Sequence, residues 1–546
     1  MSPDQRKAAA ALLRKPAAPA AELGRLFAQH GHELALVGGP VRDVFLGRPH
    51  SDLDLATDAR PEQVLGIIRG WADKVWETGI EFGTVGLRRH GVTFEITTYR
   101  SETYRPDSRK PTGIRYGTSL EADLRRRDFT VNAMAARLPS LDLVDPFGGL
   151  RDLRAQVLRT PGSPEESFSD DPLRIMRAAR FAAQLGFTVA PDAAAAMRPL
   201  APRLEVVSAE RTRDELTKLM LAPGPGGPRR GIELLVDTGV ADVVLPEVPS
   251  LRLETDEHMR HKDVYQHSLT VLDQSIDLEE RYGLGPDLVL RLAALLHDIG
   301  KPRTRTRLPD GRVAFHHHEV VGAAMARQRL KALRFPSAVT ADVSMLIALH
   351  LRFHGYGPGE WTDSAVRRYV RDAGPLLSRL QVLTRADCTT RNKAKAARLA
   401  RAQDGLEQRI AVLSAAEELQ KIRPDLDGNQ IMEILGLPPG PEVGRAHDYL
   451  LELRMEHGPL GTERATTELL RWAGRDPATA QPGPAGAAGP GSPVSAQPGG
   501  DAPVQPGAGA PVQPGSAARA DPDSGPASGA GRPGIAEPED DAEPGE

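Results

Sequence analysis

Two aspartates one residue apart, placed shortly after a double-glycine turn, constrain this chain more than any other feature. Leu34 to Val37 form a short apolar run that reads as a buried strand. Gly38-Gly39-Pro40-Val41-Arg42-Asp43 follows, where paired glycines let the backbone turn tightly and approach a ligand with no Cβ in the way. Val41 to Leu46 reads as a short helix. In Ser51-Asp52-Leu53-Asp54-Leu55, a strand sets both carboxylates on one face and turns Leu53 and Leu55 to the core. Two convergent carboxylates on a rigid strand suit Mg²⁺, which is usually held by one or two carboxylates plus substrate phosphates. The spacing describes a site for a nucleoside triphosphate.

A third acid fits the same site. In Val92-Thr93-Phe94-Glu95-Ile96-Thr97-Thr98, the alternation puts Phe94 and Ile96 on one face and Glu95 on the other. A neighbouring strand brings Glu95 to the Asp pair, and three carboxylates with two metals and an attacking hydroxyl make a phosphoryl-transfer centre. Between Glu95 and residue 126 lies Tyr104-Arg105-Pro106-Asp107-Ser108-Arg109-Lys110-Pro111-Thr112-Gly113, a polar stretch rich in turn residues that reads as a flexible loop.

Asp171-Pro172 carries an N-cap and first-turn signature, and the run to Phe187 has helical spacing. On such a helix Arg174, Arg177 and Arg180 step along the side that also carries Asp171. An aspartate followed by an arginine ladder offers a base-reading pair with cationic groups beyond it.

The net charge of −4 is low for a binder of nucleic acid until it is divided along the chain. Residues 476–546 carry ten acids and two arginines, a net of −8, which leaves +4 on the remainder. That tail is dense in Pro, Gly, Ala and Gln and poor in large apolar residues, so it reads as disordered. A single cysteine, Cys388, excludes an internal disulfide and fits a reducing compartment. With no apolar run of membrane-spanning length and no signal peptide, the expectation is a cytoplasmic protein without a membrane.

Gly-Gly-x-Val-Arg-Asp, the Asp-x-Asp strand, Arg126-Arg127-Asp128-Phe129-Thr130-Val131-Asn132-Ala133, Asp145-Pro146-Phe147-Gly148-Gly149 and Asp171-Pro172-Leu173-Arg174 through Arg180-Phe181 occur in one order. From about residue 20 to about 470 the chain resembles the bacterial class II tRNA nucleotidyltransferases, the CCA-adding enzymes and poly(A) polymerases. The resemblance implies attack of the tRNA 3′-hydroxyl on the α-phosphate of CTP or ATP. In it, Asp52 and Asp54 bind Mg²⁺ and Glu95 completes the centre, while Gly39, Arg42, Arg127 and Asp128 contact the nucleotide. Asp171 and Arg174 act as an amino-acid template, with Arg177 and Arg180 beyond. Asp170 stands where the family often has Glu, one methylene longer.

The donor pattern of that template is chemically apt. Cytosine and adenine offer an amino group to a carboxylate and a ring acceptor to a guanidinium. Uracil and guanine reverse both and leave polar groups unpaired. The loop after Glu95 resembles the lever of full CCA-adding enzymes and argues against a CC-only product.

His267, His297-Asp298, His318, His350 and Asp387 reproduce the order of an HD domain. Mixed imidazole and carboxylate ligands suit Mn, Fe, Ni, Co or Zn better than Mg, and Lys301 lies where it could meet a phosphate. The resemblance implies a metal-dependent phosphohydrolase. Beyond it, Arg391 to Arg398 is a basic helical stretch suited to an RNA backbone.

The expected fold is α+β. A small nucleotidyltransferase-type β-sheet head at 21–160 follows an N-terminal extension at 1–20. A helical neck spans 161–250, an α-helical HD domain 251–400, a helical C-terminal segment 401–475 and the tail 476–546. The expected reaction is CCA addition to tRNA from CTP and ATP with Mg²⁺, the oligomeric state being left open. Poly(A), CC-only or A-only synthesis is the alternative within the class. An HD phosphohydrolase with an RNA-binding head is the alternative outside it, and the Asp52/Asp54/Glu95 set counts against that.

Overall fold

The computed structural model describes residues 10–14, 18–48, 52–105, 108–117, 119–224, 226–253, 263–309, 313–355, 361–390, 392–417 and 422–475. The expectation of a disordered tail concerns 476–546 and lies outside the described residues, as do most of the N-terminal extension and Arg391.

The head is built on one mixed sheet. Its strands are β1 (Leu34–Val37), β2 (Asp52–Thr57), β3 (Lys74–Trp76), β4 (Thr84–Arg89) and β5 (Val92–Thr98). A hairpin of β6 (Arg100–Arg105) and β7 (Ser108–Tyr116) is followed by β8 (Ala135–Leu138) and β9 (Leu143–Val144). The order across the sheet is β3-β4-β5-β2-β1-β8-β9. β2 and β5 pair in parallel, with Asp54 opposite Glu95, and the other pairs are antiparallel.

Both faces of this sheet are covered. Leu53, Leu55, Phe94 and Ile96 are buried with Phe27, Val64 and Val85 on one side. Ala35, Val37, Ala56 and Tyr99 pack with Leu120 and Leu124 on the other. Asp52 and Asp54 alternate with the buried leucines, as period-two patterning requires.

The stretch expected to be a flexible loop is instead the β6–β7 hairpin, with Arg100 opposite Tyr116 and Glu102 opposite Ile114. The β-formers Thr103 and Tyr104 on one arm and Thr112, Ile114 and Tyr116 on the other are set in an otherwise polar stretch.

Helices follow the head. Asp171 does not cap a helix with Pro172 at its first position. Pro164–Asp170 forms one helix, Pro172 is the cap position, and the next helix runs Leu173–Leu185. It stops before Phe187 because Gly186 takes φ 76°, a left-handed terminus. The Asp171 carboxylate still accepts from the Leu173 N–H at 3.2 Å, so the local capping chemistry survives the shift.

Three of the expected boundaries fall inside elements: 20 in the Ala18–Gln29 helix, 250 in the Pro249–Leu253 3-10 turn and 400 in Lys393–Glu417. One continuous apolar cluster joins head, neck and HD helices, whereas residues 426–470 hold a separate small core. Fully buried Arg291 is one fastening of the helical body. It donates to Glu279 and to the Met220 and Ala222 carbonyls.

Candidate active site and metal centre

The Asp128-Phe129-Thr130-Val131-Asn132 segment organises a cleft between the head and the Leu173–Leu185 helix. The cleft is about 690 Å³, and its walls carry eight arginines against Asp54, Asp128 and Asp171. Asn132 ends a short 3-10 turn packed on the Gly149–Ala155 helix, whose Gly149 and Leu150 N–H groups donate to Asp145 at 2.6 and 3.0 Å. A Cβ on Gly149 would meet the Thr130 carbonyl oxygen at 2.2 Å, which explains the glycine. Thus Asp145-Pro146-Phe147-Gly148-Gly149 holds the cleft floor in place and does not itself line it.

Asn132 then positions two charged groups. Its carbonyl oxygen accepts from Arg42 Nη1 at 2.6 Å, and its amide donates to Asp128 at 3.0 Å. Arg42 is further held by Asp43 at 2.8 and 2.9 Å. Gly38 takes φ 74°, and a Cβ there would lie 2.9 Å from Arg127 Nη1. The glycine lets that guanidinium reach the turn.

Asp128 is buried, and its carboxylate accepts from the Phe129 N–H, from Asn132 and from Arg177 at 2.8 and 2.6 Å. Burial alone would raise its pKa, but Arg177 and Asn132 outweigh it and bring it to about 2. Stability from this group is therefore present above the ordinary carboxylate pKa of 3.8 and lost as pH falls through about 2. Asp128→Asn is expected to flatten that acid-side loss between pH 4 and 2, read by urea melts across the range. At pH 7 the variant should be less stable by about 1–3 kcal/mol, because Arg177 loses its charged acceptor.

The arginine ladder lies along one wall as its spacing predicts. Arg180 donates to Glu215 and stands 4.0 Å from the Phe181 ring centroid, with Arg42 and Arg177 at 5.3 and 5.6 Å. Arg174 donates to the Ser167 carbonyl at 3.2 Å and hydroxyl at 2.8 Å, and to the Arg126 carbonyl. Those contacts use three of its five N–H donors. Asp171 faces Arg211 at 3.9 Å and shares the cleft wall with Arg174.

Asp54 faces the cleft while Asp52 and Glu95 are exposed beside it, on strands whose register aligns all three on one face. Burial pushes the Asp54 pKa up; Arg127 opposes this, and Glu95 and Asp52 add to it. A half-buried carboxylate with two like-charged neighbours fits a divalent cation, which relieves the repulsion.

The second constellation also assembles, at helix ends. His267 lies on Val264–Leu278, His297 caps Leu288–Leu296, and His318 opens His318–Ala332. His350 caps Ser337–Leu349 and Asp387 ends Leu377–Asp387. His267, His297 and Asp387 form one set, and Asp298, His318 and His350 another, each with ligand atoms within 4.8 Å of one another.

The Nδ1 atoms of His297, His318 and His350 contact backbone carbonyls at 2.9, 2.9 and 2.6 Å, which turns each Nε2 inward. His318 Nε2 is buried and faces the Asp298 carboxylate without a well-aligned hydrogen bond, as two ligands of one metal would. Asp298 is 3.2 Å from His297 Nε2 and 3.3 Å from His318 Nε2. Lys301 already contacts Asp298 at 2.8 Å.

Asn132, Asp43, Asp123, Ser167, Glu215, Phe181 and Arg211 were not among the expected site residues. Buried Asp123 pairs with Arg126 and Arg127 at 2.7 and 3.2 Å. Asn132 had a visible signal, a polar residue inside the apolar Phe129–Met134 run. Arg211 had none, since its helix, Ala209–Met220, reaches the cleft only through tertiary packing.

A sheet carrying clustered carboxylates beneath an arginine-rich cleft, joined to a helical imidazole-carboxylate centre, defines a nucleotide-handling transferase with a second metal-type site. Residues 34–159 match the poly A polymerase head domain, 186–251 the probable RNA and SrmB-binding site of polymerase A, and 264–392 the HD domain. The chain is 39% identical over 368 residues to the A-adding tRNA nucleotidyltransferase of Deinococcus radiodurans, covering 66% of this chain and 81% of that one. It is 34% identical over 337 residues to the CCA-adding enzyme of Geobacillus thermodenitrificans, covering 62% and 76%. The chain spans about half the length of several further CCA-adding relatives that it matches. The crystal structure of the Bacillus stearothermophilus CCA-adding enzyme in complex with CTP superposes with TM-score 0.57 at 26% identity, over 84% of this chain and 98% of that one. The chain belongs to the bacterial tRNA nucleotidyltransferase family of CCA-adding enzymes with an HD domain.

Proposed function

We propose that this chain completes the 3′ end of tRNA with CCA, using CTP and ATP and releasing pyrophosphate. The observation that carries it is the register of Asp54 against Glu95 beside Gly38-Gly39, under an arginine wall. Asp52 and Asp54 would hold Mg²⁺, which when bound polarises the transferring phosphoryl group and neutralises developing charge. Gly39, Arg42 and Arg127 cradle the triphosphate, and Glu95 assists deprotonation of the attacking hydroxyl. Asp171 accepts from the amino group of cytosine or adenine, and Arg174 donates to the ring acceptor beside it. Asp128, fully occupied by its partners, acts by fixing Arg177 and Asn132. The setting is the cytoplasm; no helix among the described residues is long and apolar enough to cross a membrane.

A-only addition is the second reading, because the A-adding relative aligns over 81% of its length. Purified protein given tRNAs ending in -N, -NC and -NCC, with one labelled nucleotide at a time, separates the two. CCA synthesis predicts CMP on the first two and AMP on the third, whereas an A-adding enzyme labels only -NCC. Repeated AMP addition would mark a poly(A) polymerase.

The HD centre is read as a metal-dependent phosphohydrolase using Mn, Fe, Ni, Co or Zn, with all six side chains as ligands. His297→Ala is expected to remove bound transition metal and hydrolysis of 2′,3′-cyclic nucleotides while sparing nucleotide addition. Metal content, cyclic-nucleotide hydrolysis with added Ni²⁺, Co²⁺ or Mn²⁺, and labelled-nucleotide incorporation are measured on one preparation. Loss of incorporation by a folded variant would show that the two centres are coupled.

A further inference from the structure

Beyond the carboxylates, an exposed aromatic side chain that no step above uses lines the cleft, and a second stands close behind it. Phe82 lines the cleft and is 47% exposed, and Tyr116 is 39% exposed. They come from different segments: Phe82 ends the 3-10 turn Ile80–Phe82 before β4, and Tyr116 ends the β6–β7 hairpin. Gly83 joins them, since a Cβ there would lie 3.1 Å from the Tyr116 ring. Arg100, opposite Tyr116 in the hairpin, donates to the Phe82 carbonyl and lines the same cleft. A lone exposed aromatic needs no explanation. Two adjoining ones beside an arginine, at the rim of a cation-lined cleft, have the composition of a single-strand nucleic-acid platform.

Position along the strands says which base would sit there. Gly38 follows β1, whose Leu36 is opposite Leu55, so the glycine turn lies near the Asp52 end of β2. Phe82 precedes Thr84, whose partner Thr97 lies two residues past Glu95 along β5, at the other end. Along the strands Asp54 and Glu95 therefore stand between the glycine turn and Phe82. In-line phosphoryl transfer brings the attacking hydroxyl from the side opposite the leaving group. Pyrophosphate leaves toward Gly39, Arg42 and Arg127, so the acceptor approaches from the aromatic side.

We propose that Phe82, backed by Tyr116 and Arg100, stacks the last base of the single-stranded 3′ end of the acceptor RNA and so positions its hydroxyl. This rests on the nucleotidyl-transfer reading of the cleft. Stacking is tolerant of base identity, which suits an acceptor whose last base changes at every cycle.

The test compares wild type with Phe82→Ala, Phe82→Leu and Phe82→Trp on tRNA acceptors, titrating acceptor and nucleotide separately. Phe82→Ala and Phe82→Leu should raise the KM for acceptor roughly tenfold, with a far smaller change in the KM for CTP or ATP, and Phe82→Trp should restore it. Binding of an acceptor carrying 2-aminopurine as its last base should quench its fluorescence in wild type and not in Phe82→Ala. Thermal melts establish that the variants are folded. Unchanged acceptor KM in Phe82→Ala overturns the proposal, as does a rise confined to the KM for nucleotide, which would place the incoming base on Phe82. A wild-type protein that incorporates nothing overturns the nucleotidyl-transfer reading, and this proposal with it.

Discussion

Asp54→Ala is expected to lower incorporation of CMP and AMP by about 10³-fold or more while the protein stays folded. The carboxylate is the one acid of its cluster lining the cleft, opposite Glu95 and next but one to Asp52. Losing a clamp on the transferring phosphoryl group removes several kcal/mol of transition-state stabilisation, and about 4 kcal/mol is close to 10³ in rate. The fold should not suffer, because burial and like charge already disfavour the ionised Asp54. Removing it relieves repulsion, and Asp54→Asn should melt at or above the wild-type temperature with the same loss of rate. Single-turnover incorporation and thermal melts together check this. A folded Asp54→Ala protein with full incorporation would overturn the assignment of the centre.

Arg174→Ala should show a different signature. Discrimination against UTP and GTP should fall by roughly 10–100-fold, because a mismatched base would no longer leave a buried donor unpaired at about 1–3 kcal/mol per orphaned group. Some rate should be lost as well. Arg174 ties the Pro164–Asp170 helix, through Ser167, to the Arg126 carbonyl of the head, so its removal loosens the wall that carries Asp171. Ser167→Ala separates these effects: it deletes one bracing contact and keeps the guanidinium, so rate should fall with nucleotide preference kept. Arg174→Lys keeps the charge without the planar fork and should resemble Arg174→Ala in preference. The measurement is single-turnover incorporation of each of the four nucleotides on -NCC and -NC acceptors. Unchanged preference in Arg174→Ala would make this side chain a structural brace only.

Much of the head was legible because its signals are local. Period-two alternation placed Asp52 and Asp54 on one face and Leu53 and Leu55 in the core, and the structure has them so. The hairpin after β5 is not legible locally, because polar residues dominate the composition of both arms and the pairing is a property of the two arms together. The helix boundary at Asp171 moved because a second helix, Pro164–Asp170, runs up to that residue. Capping propensity cannot register a competitor on the N-terminal side.

By itself the sequence determined the alternation that faces Asp52, Asp54 and Glu95 outward, the spacing that lines up Arg174, Arg177 and Arg180, and the six imidazole and carboxylate side chains in the HD order. Each follows from backbone periodicity or from residue chemistry that needs no partner. Tertiary structure alone decided that Asn132 bridges Arg42 and Asp128, that Asp128 is spent on Arg177, and that Arg211 reaches Asp171. It also brought the Tyr116 ring against Gly83, next to Phe82 of the cleft wall. A hydrogen bond or ion pair across 40 to 90 residues depends on where whole elements pack, and that is set by the sum of many buried apolar contacts and not by any motif.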